Sequence, residues 1–285
     1  LIAAICCFAM LLTACSSNQT PAESGGDGST TADSEKKVLT YAIGAETTDL
    51  STLYMNNSLY CTSKLVYENL VDFDNGEIVP GLAESWEYND DQTELTFHLR
   101  QGVTFHNGEP FNAEAVKTNL EHKQSNPSFY SLKGITDIQE IEVVDEYTIT
   151  LHYDHPFYAY LQDFCWPDVN PMSAPEYIIP GDFQTISGVA GTGPYIYDEY
   201  VAGEYTRFVR NEDYWGETPY WDEIIVKYIP DSTSRLQALQ TGEIDMIYGG
   251  TLLTYEEYDQ ALAMDGIDGQ MAEKDTRVQV ITTNA

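Results

Sequence analysis

The sequence predicts an α/β fold of the mixed α+β kind, and three observations carry that prediction. Residues Glu94 to Arg100 alternate, with Leu95, Phe97 and Leu99 on one side and Thr96, His98 and Arg100 on the other, the period of a half-buried strand. Asn112 precedes a stretch in which Ala113, Val116 and Leu120 share one helical face, with Glu114 near the positive end of the helix dipole. Strand-like runs recur with turn residues between them, at Asp74-Asn75-Gly76, Asn107-Gly108 and Ala202-Gly203. Strands, hairpins and helices mixed in one chain define the class.

The 285 residues allow two domains, or one large domain that is interrupted, and the apolar content is enough for a core. A formal net charge of -33, from 46 acidic and 13 basic residues, excludes a nucleic-acid partner, whose phosphates need neutralising Lys and Arg. Such a charge keeps a surface solvated, and the same field favours basic ligands.

Residues 1–14, LIAAICCFAMLLTA, are apolar and uncharged, and too short to span a bilayer as a mature helix. They read as the apolar core of a secretory signal that lacks its start. Leu12-Thr13-Ala14-Cys15 then resembles a bacterial lipobox, which implies cleavage before Cys15 and a diacylglycerol on its sulfur. Cys6 and Cys7 would leave with the signal, so Cys61 and Cys165 remain in the folded part, either as a disulfide or as two buried thiols. Residues 15–37 are Ser-, Thr- and Gly-rich and suit a flexible linker behind the lipid.

Order is expected from Val38, where VLTYAIGA reads as a strand closed by Gly44. Leu59, Leu65, Val66 and Leu70 recur near helical spacing and predict an amphipathic helix over 59–70, followed by a hairpin about Asn75-Gly76. After the strand at 94–100, Val103 and Phe105 predict a second short strand before the Asn107-Gly108 turn, and the helix opened by Asn112 ends at Asn126-Pro127. A hairpin is expected from Ile138–Val144 and Tyr147–Tyr153, a short helix over Phe157–Phe164, and a helical turn over Pro175–Ile179. The Gly-rich run GVAGTGP at 188–194 lacks both the Lys-Ser/Thr of a phosphate loop and the GxGxxG spacing, and leads instead into a hairpin of Tyr195–Val201 and Glu204–Arg210. A strand over 220–229, a helix capped by Asp231, a short strand over 243–248, a helix opened by Thr254 and a strand over 277–282 complete the chain.

The motifs YENL (67–70), PGLAESW (80–86), LTFHLRQGVTFHNGEPFNAEAV (95–116), GTGPY (191–195), RNEDYWGE (210–217), IPD (229–231) and LQTGEIDMIYGG (239–250) together resemble the family 5 solute-binding proteins of ABC importers. The nickel-type branch is the most similar. The resemblance implies a type II periplasmic-binding-protein-like fold, with a first lobe that carries an inserted subdomain near 58–185 and a second lobe largely absent from this chain. It implies a monomeric extracytoplasmic receptor, anchored by its lipid, that passes a peptide or a metal chelate to permease subunits and needs no cofactor. It also implies contact with the solute by Phe129 or Tyr130, by the loop Trp166, Asp168 and Asn170, and more weakly by Tyr60. Aromatic faces suit cations, peptide planes and flat chelators, and all of these side chains are equally compatible with a place in the lobe core or in a solvated loop. Nickel-type relatives carry Arg in the loop at 167–172, and none stands there in this sequence.

Direct metal ligation by the protein is not expected. His152 and His155 flank Asp154 at a strand end without making a three- or four-ligand set, and His98 and His106 read as polar-face residues of a strand pair. GxSxG, HExxH and Cys-x-x-Cys are all missing, so the sequence reads as a binding protein and not an enzyme. A receptor that presents its ligand to a signalling protein is the alternative; an extracellular enzyme is a more distant one.

Overall fold

The computed structural model describes residues 36–47, 50, 62–74, 76–156, 159–165, 171–183, 187–249 and 252–269. In chain order these form β1 (Val38–Ile43), α1 (Ser63–Val66), β2 (Val71–Asp74), β3 (Glu77–Pro80), β4 (Ala83–Tyr88), β5 (Glu94–Leu99), α2 (Ala113–Ser125), α3 (Lys133–Thr136), β6 (Ile138–Asp145), β7 (Thr148–Tyr153), β8 (Tyr195–Val201), β9 (Tyr205–Arg210), β10 (Glu223–Tyr228), α4 (Ser232–Gln240), β11 (Met246–Ile247) and α5 (Tyr255–Leu262). The fold is mixed α/β, as expected from the alternation, the caps and the turns.

Two larger sheets and one hairpin organise these elements. The first sheet runs β4-β5-β7-β6, all antiparallel. In β5 the burial alternates along the strand, with Leu95, Phe97 and Leu99 pointing into a core shared with Val116 and Leu120 of α2. Burying one such side chain contributes about 1.5–3 kcal/mol, so this face alone explains the register of the strand. The outward face carries Thr96, whose hydroxyl lies 2.8 Å from that of Thr150, and His98 beside Glu87.

The second sheet runs β11-β1-β10-β9-β8. Here β1 is parallel to both β10 and β11, while β8 and β9 form an antiparallel hairpin against β10. Ala42 of β1 packs with Leu236, Leu239, Tyr258 and Ala261 of α4 and α5, whereas Tyr41 and Ile43 pack with Val66, Tyr195, Phe208 and Val226. The period-two alternation of β1 thus serves two cores.

The helix signals act as the sequence suggests. The Asn112 side chain accepts from the Ala115 amide at 3.0 Å, Asp231 accepts from that of Ser234 at 2.8 Å, and Thr254 and Glu257 form a reciprocal capping box. β2 and β3 pair as an antiparallel hairpin with Asp74 opposite Glu77, and Gly108 closes the Asn107-Gly108 turn with φ 88°, a conformation that costs other residues a clash at Cβ.

Four expectations need correction or fall outside the described residues. Val103 and Phe105 are buried but form no strand; Phe105 N–H bonds Glu109 and Phe111 N–H bonds Val103, so a tight loop with one bridge, Thr104 to Pro110, replaces it. The helix expected over 59–70 is helical at Ser63–Val66 and leaves helical geometry at Tyr67 (φ -117°, ψ 148°), because the Asn69 and Leu70 carbonyls bond the amides of Leu82, Gly81 and Ala83. Strand β4 carries only a broken apolar signal: Trp86 and Tyr88 pack against the core, but a register shift between Ala83 and Ser85 interrupts the alternation, and Glu84, Ser85 and Glu87 stay in solvent. The expected strand at 277–282 lies outside the described residues, as does the start of the helix expected from Phe157; Leu161–Phe164 is a single 3-10 turn.

Candidate functional site

Of the expected solute-facing residues, Phe129 and Tyr130 are described, and they lie just beyond the C-terminal end of α2. Asn126 ends the helix and caps a 3-10 turn over Pro127–Phe129, accepting from the Ser128 amide at 2.9 Å. Within that turn the two aromatic residues separate. Phe129 is fully buried against Leu132 and Ile135, while Tyr130 is 75% exposed. Of the pair, Tyr130 is the ring open to solvent. Tyr60, Trp166, Asp168, Asn170 and the lipobox Cys15 lie outside the described residues.

The segment Pro171–Ala174, which follows the loop expected to meet the solute, is buried along its whole length. Two side chains one turn apart on α2 hold it. Asn119 donates to the Ser173 carbonyl (2.8 Å) and accepts from the Ser173 amide (2.9 Å), and Lys123 donates from Nζ to the Pro171 carbonyl (2.7 Å). On its other side, Met172 N–H bonds the Glu68 carbonyl and Ala174 N–H bonds that of Ala190, each at 2.9 Å.

Lys123 is the residue the sequence reading missed. It is 1% exposed, its ammonium makes no ion pair among the described residues, and burial pushes its pKa from 10.5 down to about 7. The signal was present in the spacing, because Lys123 continues the buried stripe of Val116 and Leu120 by three residues and so falls on the apolar face. Beside it, His122 is 6% exposed with neither ring nitrogen hydrogen-bonded among the described residues, and its ring lies 5.1 Å from that of Phe183. Burial, then the neighbouring Lys123, hold this imidazole below its usual pKa, with Asp182 acting in the opposite direction.

A second cluster joins motifs far apart in sequence. The Glu68 carboxylate, from YENL, accepts from Thr192 of GTGPY (2.8 Å), Tyr214 of RNEDYWGE (2.8 Å) and Trp215 of the same motif (2.7 Å). Burial raises the Glu68 pKa against these three bonds. His106, from the FHNGEPF segment, sits 2.9 Å from the Gly193 carbonyl, and Asn211 donates to that same oxygen at 3.1 Å. The Arg100 guanidinium stacks over Trp215 and donates to the Gly81 carbonyl. His106 is therefore no polar-face residue: its strand is absent, its ring turns inward, and burial lowers its pKa. The Gly-rich run serves close packing, since a Cβ on Gly193 would meet the Leu65 and Val66 carbonyl oxygens at 2.7 Å. These motifs tie the two sheets together and explain their spacing without a ligand.

Other candidates have ordinary surroundings. His152 lies on the outer face of the first sheet between Glu94 (3.4 Å) and Glu142 (3.0 Å), and His155 pairs with Asp154. Among the described residues, no group of three or more His, Cys, Asp or Glu side chains is placed to hold a metal ion. Cys165 is buried, its thiol pushed up to about 12 by burial. No described helix is long and apolar enough to cross a membrane.

One all-antiparallel sheet and one mixed sheet, the latter joining β1 to β8–β11, are the architecture of type II periplasmic binding proteins. The chain belongs to the bacterial extracellular solute-binding proteins, family 5, whose model matches residues 77–285. It is 36% identical over 205 residues to the nickel-binding periplasmic protein of Escherichia coli, a match covering 69% of this chain and 38% of the relative. It is 33% identical over 223 residues to a glutathione-binding protein of Pectobacterium atrosepticum, covering 73% and 41%. Among solved structures it is similar to NikA from Brucella suis in complex with Fe(III)-EDTA, with a TM-score of 0.79, 32% identity and coverage of 84% of this chain and 49% of that one. The chain thus spans about half or less of the length of these relatives.

Proposed function

We propose that this chain forms the first lobe of an extracytoplasmic receptor that captures a peptide or a metal chelate and delivers it to the permease of an ABC importer. The observation that carries this reading is the family match over residues 77–285, and relatives named for nickel and for glutathione support both solute classes. Tyr130 offers an exposed ring for a peptide plane or a flat chelator, with Phe129 buried in the turn that carries it. Tyr60, Trp166, Asp168 and Asn170 complete the contacts, with Asp168 suited to an amine or cationic group. Solute capture relies on a wall whose shape is set by packing, which the cluster at Glu68 and the α2 contacts provide. Residues near 58–185 act as a subdomain inserted in the lobe, and a lipid on Cys15 tethers the protein outside the membrane.

Uptake tests the transport role. Deleting the gene is expected to abolish accumulation of radiolabelled nickel supplied as a chelate, or of a radiolabelled short peptide; unchanged uptake of both would refute it. The anchor is tested separately: Cys15→Ala is expected to move the protein from the membrane fraction to the soluble one, and an unmoved variant would refute the lipid.

A further inference from the structure

His122 stands in α2 one residue before Lys123 and is 6% exposed. Its ring lies 5.1 Å from that of Phe183, tilted by 55°, and neither of its nitrogens is hydrogen-bonded among the described residues. A neutral imidazole in this place leaves one donor and one acceptor unmatched. An imidazolium leaves two donors unmatched and adds a charge beside the Lys123 ammonium. The closed packing therefore accepts the neutral ring and works against the cation.

The two sides of this contact are held unequally. Helix α2 is fixed by Val116 and Leu120 in the core and by Asn119, which bonds both the amide and the carbonyl of Ser173. Against it lies the segment Gly181–Phe183, in which Asp182 and Phe183 are partly exposed and the Asp182 N–H bonds the Ile179 carbonyl at 3.0 Å. Gly181 opens the segment at φ 77°, with no atom within 4 Å of where a Cβ would stand. A segment packed this sparsely opens at less cost than the helix.

Burial, then Lys123, hold the imidazole below its ordinary pKa of 6.5, and Asp182 acts against them. The strap Pro171–Ala174 brings no ionisable side chain to this end of α2. Of the other elements packed on the helix, α3 carries Lys133, paired with Asp137 at 3.2 Å, and the turn Pro175–Tyr177 carries Glu176, which accepts from Asn107 at 3.1 Å. The acids of β6 are exposed, and His152 of β7 lies among them on the outer face of the sheet.

We propose that His122 is an acid-sensitive latch: its neutral ring seats the segment Gly181–Phe183 on α2, and its protonation releases that segment while the sheets stay folded. Opening returns the imidazole to water and to its ordinary proton affinity, which the closed packing weakens. The open form therefore binds the proton more tightly, and acid draws the equilibrium toward it below about pH 6.5. The latch needs no solute and stands apart from the receptor reading.

Amide hydrogen exchange on the natural gene product at about pH 7 and about pH 5, corrected for intrinsic rates, tests this. In wild type the Asp182 amide is expected to lose about tenfold in protection on acidification, while the amides of β5 keep theirs. In His122→Phe, which keeps a ring against Phe183, and in the smaller His122→Gln, Asp182 protection is expected to be the same at both pH values. Wild-type protection of Asp182 that does not change with pH would overturn the proposal. So would a pH dependence that persists in both variants, which would assign it to Lys123 or Asp182, or an acid loss shared by β5, the pattern of global unfolding.

Discussion

Trp215 donates its indole N–H to the Glu68 carboxylate at 2.7 Å across 147 residues of sequence. With Tyr214 and Thr192 donating to the same group, three family motifs meet on one acid. Glu68→Gln turns an amide N–H₂ toward donors that need acceptors, and a destabilisation of about 1–3 kcal/mol is expected in urea unfolding at neutral pH. The pH dependence has a definite sign. Burial raises the folded-state pKa above 4.5, so the titration-linked part of Glu68's contribution is fully present below the unfolded pKa and is lost as pH rises through the folded one, leaving the acceptor role at neutral pH. Acidifying from neutrality should therefore widen the gap between wild type and the variant.

Gly191 packs against the Val66 carbonyl and the Tyr67 ring, where an added Cβ would approach the ring at 2.6 Å. Backbone and a buried ring can give little. Gly191→Ala is expected to cost about 3 kcal/mol or more, read as a fall in unfolding midpoint, whereas a phosphate loop would have lost only ligand affinity.

Asn112 caps α2 through its side-chain oxygen. Asn112→Ala should destabilise by about 1 kcal/mol, and Asn112→Ser or Asn112→Asp should recover most of it in the same denaturant titration.

Lys123 predicts the opposite trend with pH from a salt-bridged lysine. Its folded pKa is lowered from 10.5 to about 7, so between those values the unfolded chain binds more protons and stability rises with pH. Relative to Lys123→Met, wild type is expected to gain up to about 5 kcal/mol across that window, an upper bound at 1.36 kcal/mol per pH unit. Unfolding midpoints of both proteins at about pH 7 and about pH 10 measure it.

Much of the fold was legible because its signals are local. Leu95, Phe97 and Leu99 announce a strand by alternation, Asn112 and Thr254 announce helices by capping, and Gly108 and Gly203 announce turns by their backbone freedom. Strand β4 was hidden because an edge strand needs one buried face only in part, and Ala83 alone is fully buried in it. The strand at Val103 was a false signal, since two buried residues two apart fit a packed loop equally well. The roles of Lys123 and Glu68 were hidden for a different reason, although the spacing marks Lys123 as part of the buried stripe. Their roles depend on partners 48 and up to 147 residues away, and only the tertiary fold brings these together. Of the expected solute contacts, the 3-10 turn decides between neighbours by burying Phe129 and exposing Tyr130, a choice that no periodicity encodes in a loop.

The central claim, capture of a peptide or metal chelate, is tested most directly by a thermal shift of the natural gene product against Fe(III)-EDTA, a nickel–histidine chelate and glutathione. A solute that binds the folded state at a concentration about a hundredfold above its Kd adds about 2.7 kcal/mol, so at least one of these is expected to raise the unfolding midpoint by several degrees, and Tyr130→Ala to diminish that rise. A midpoint unmoved by every chelate and peptide tried would contradict the account.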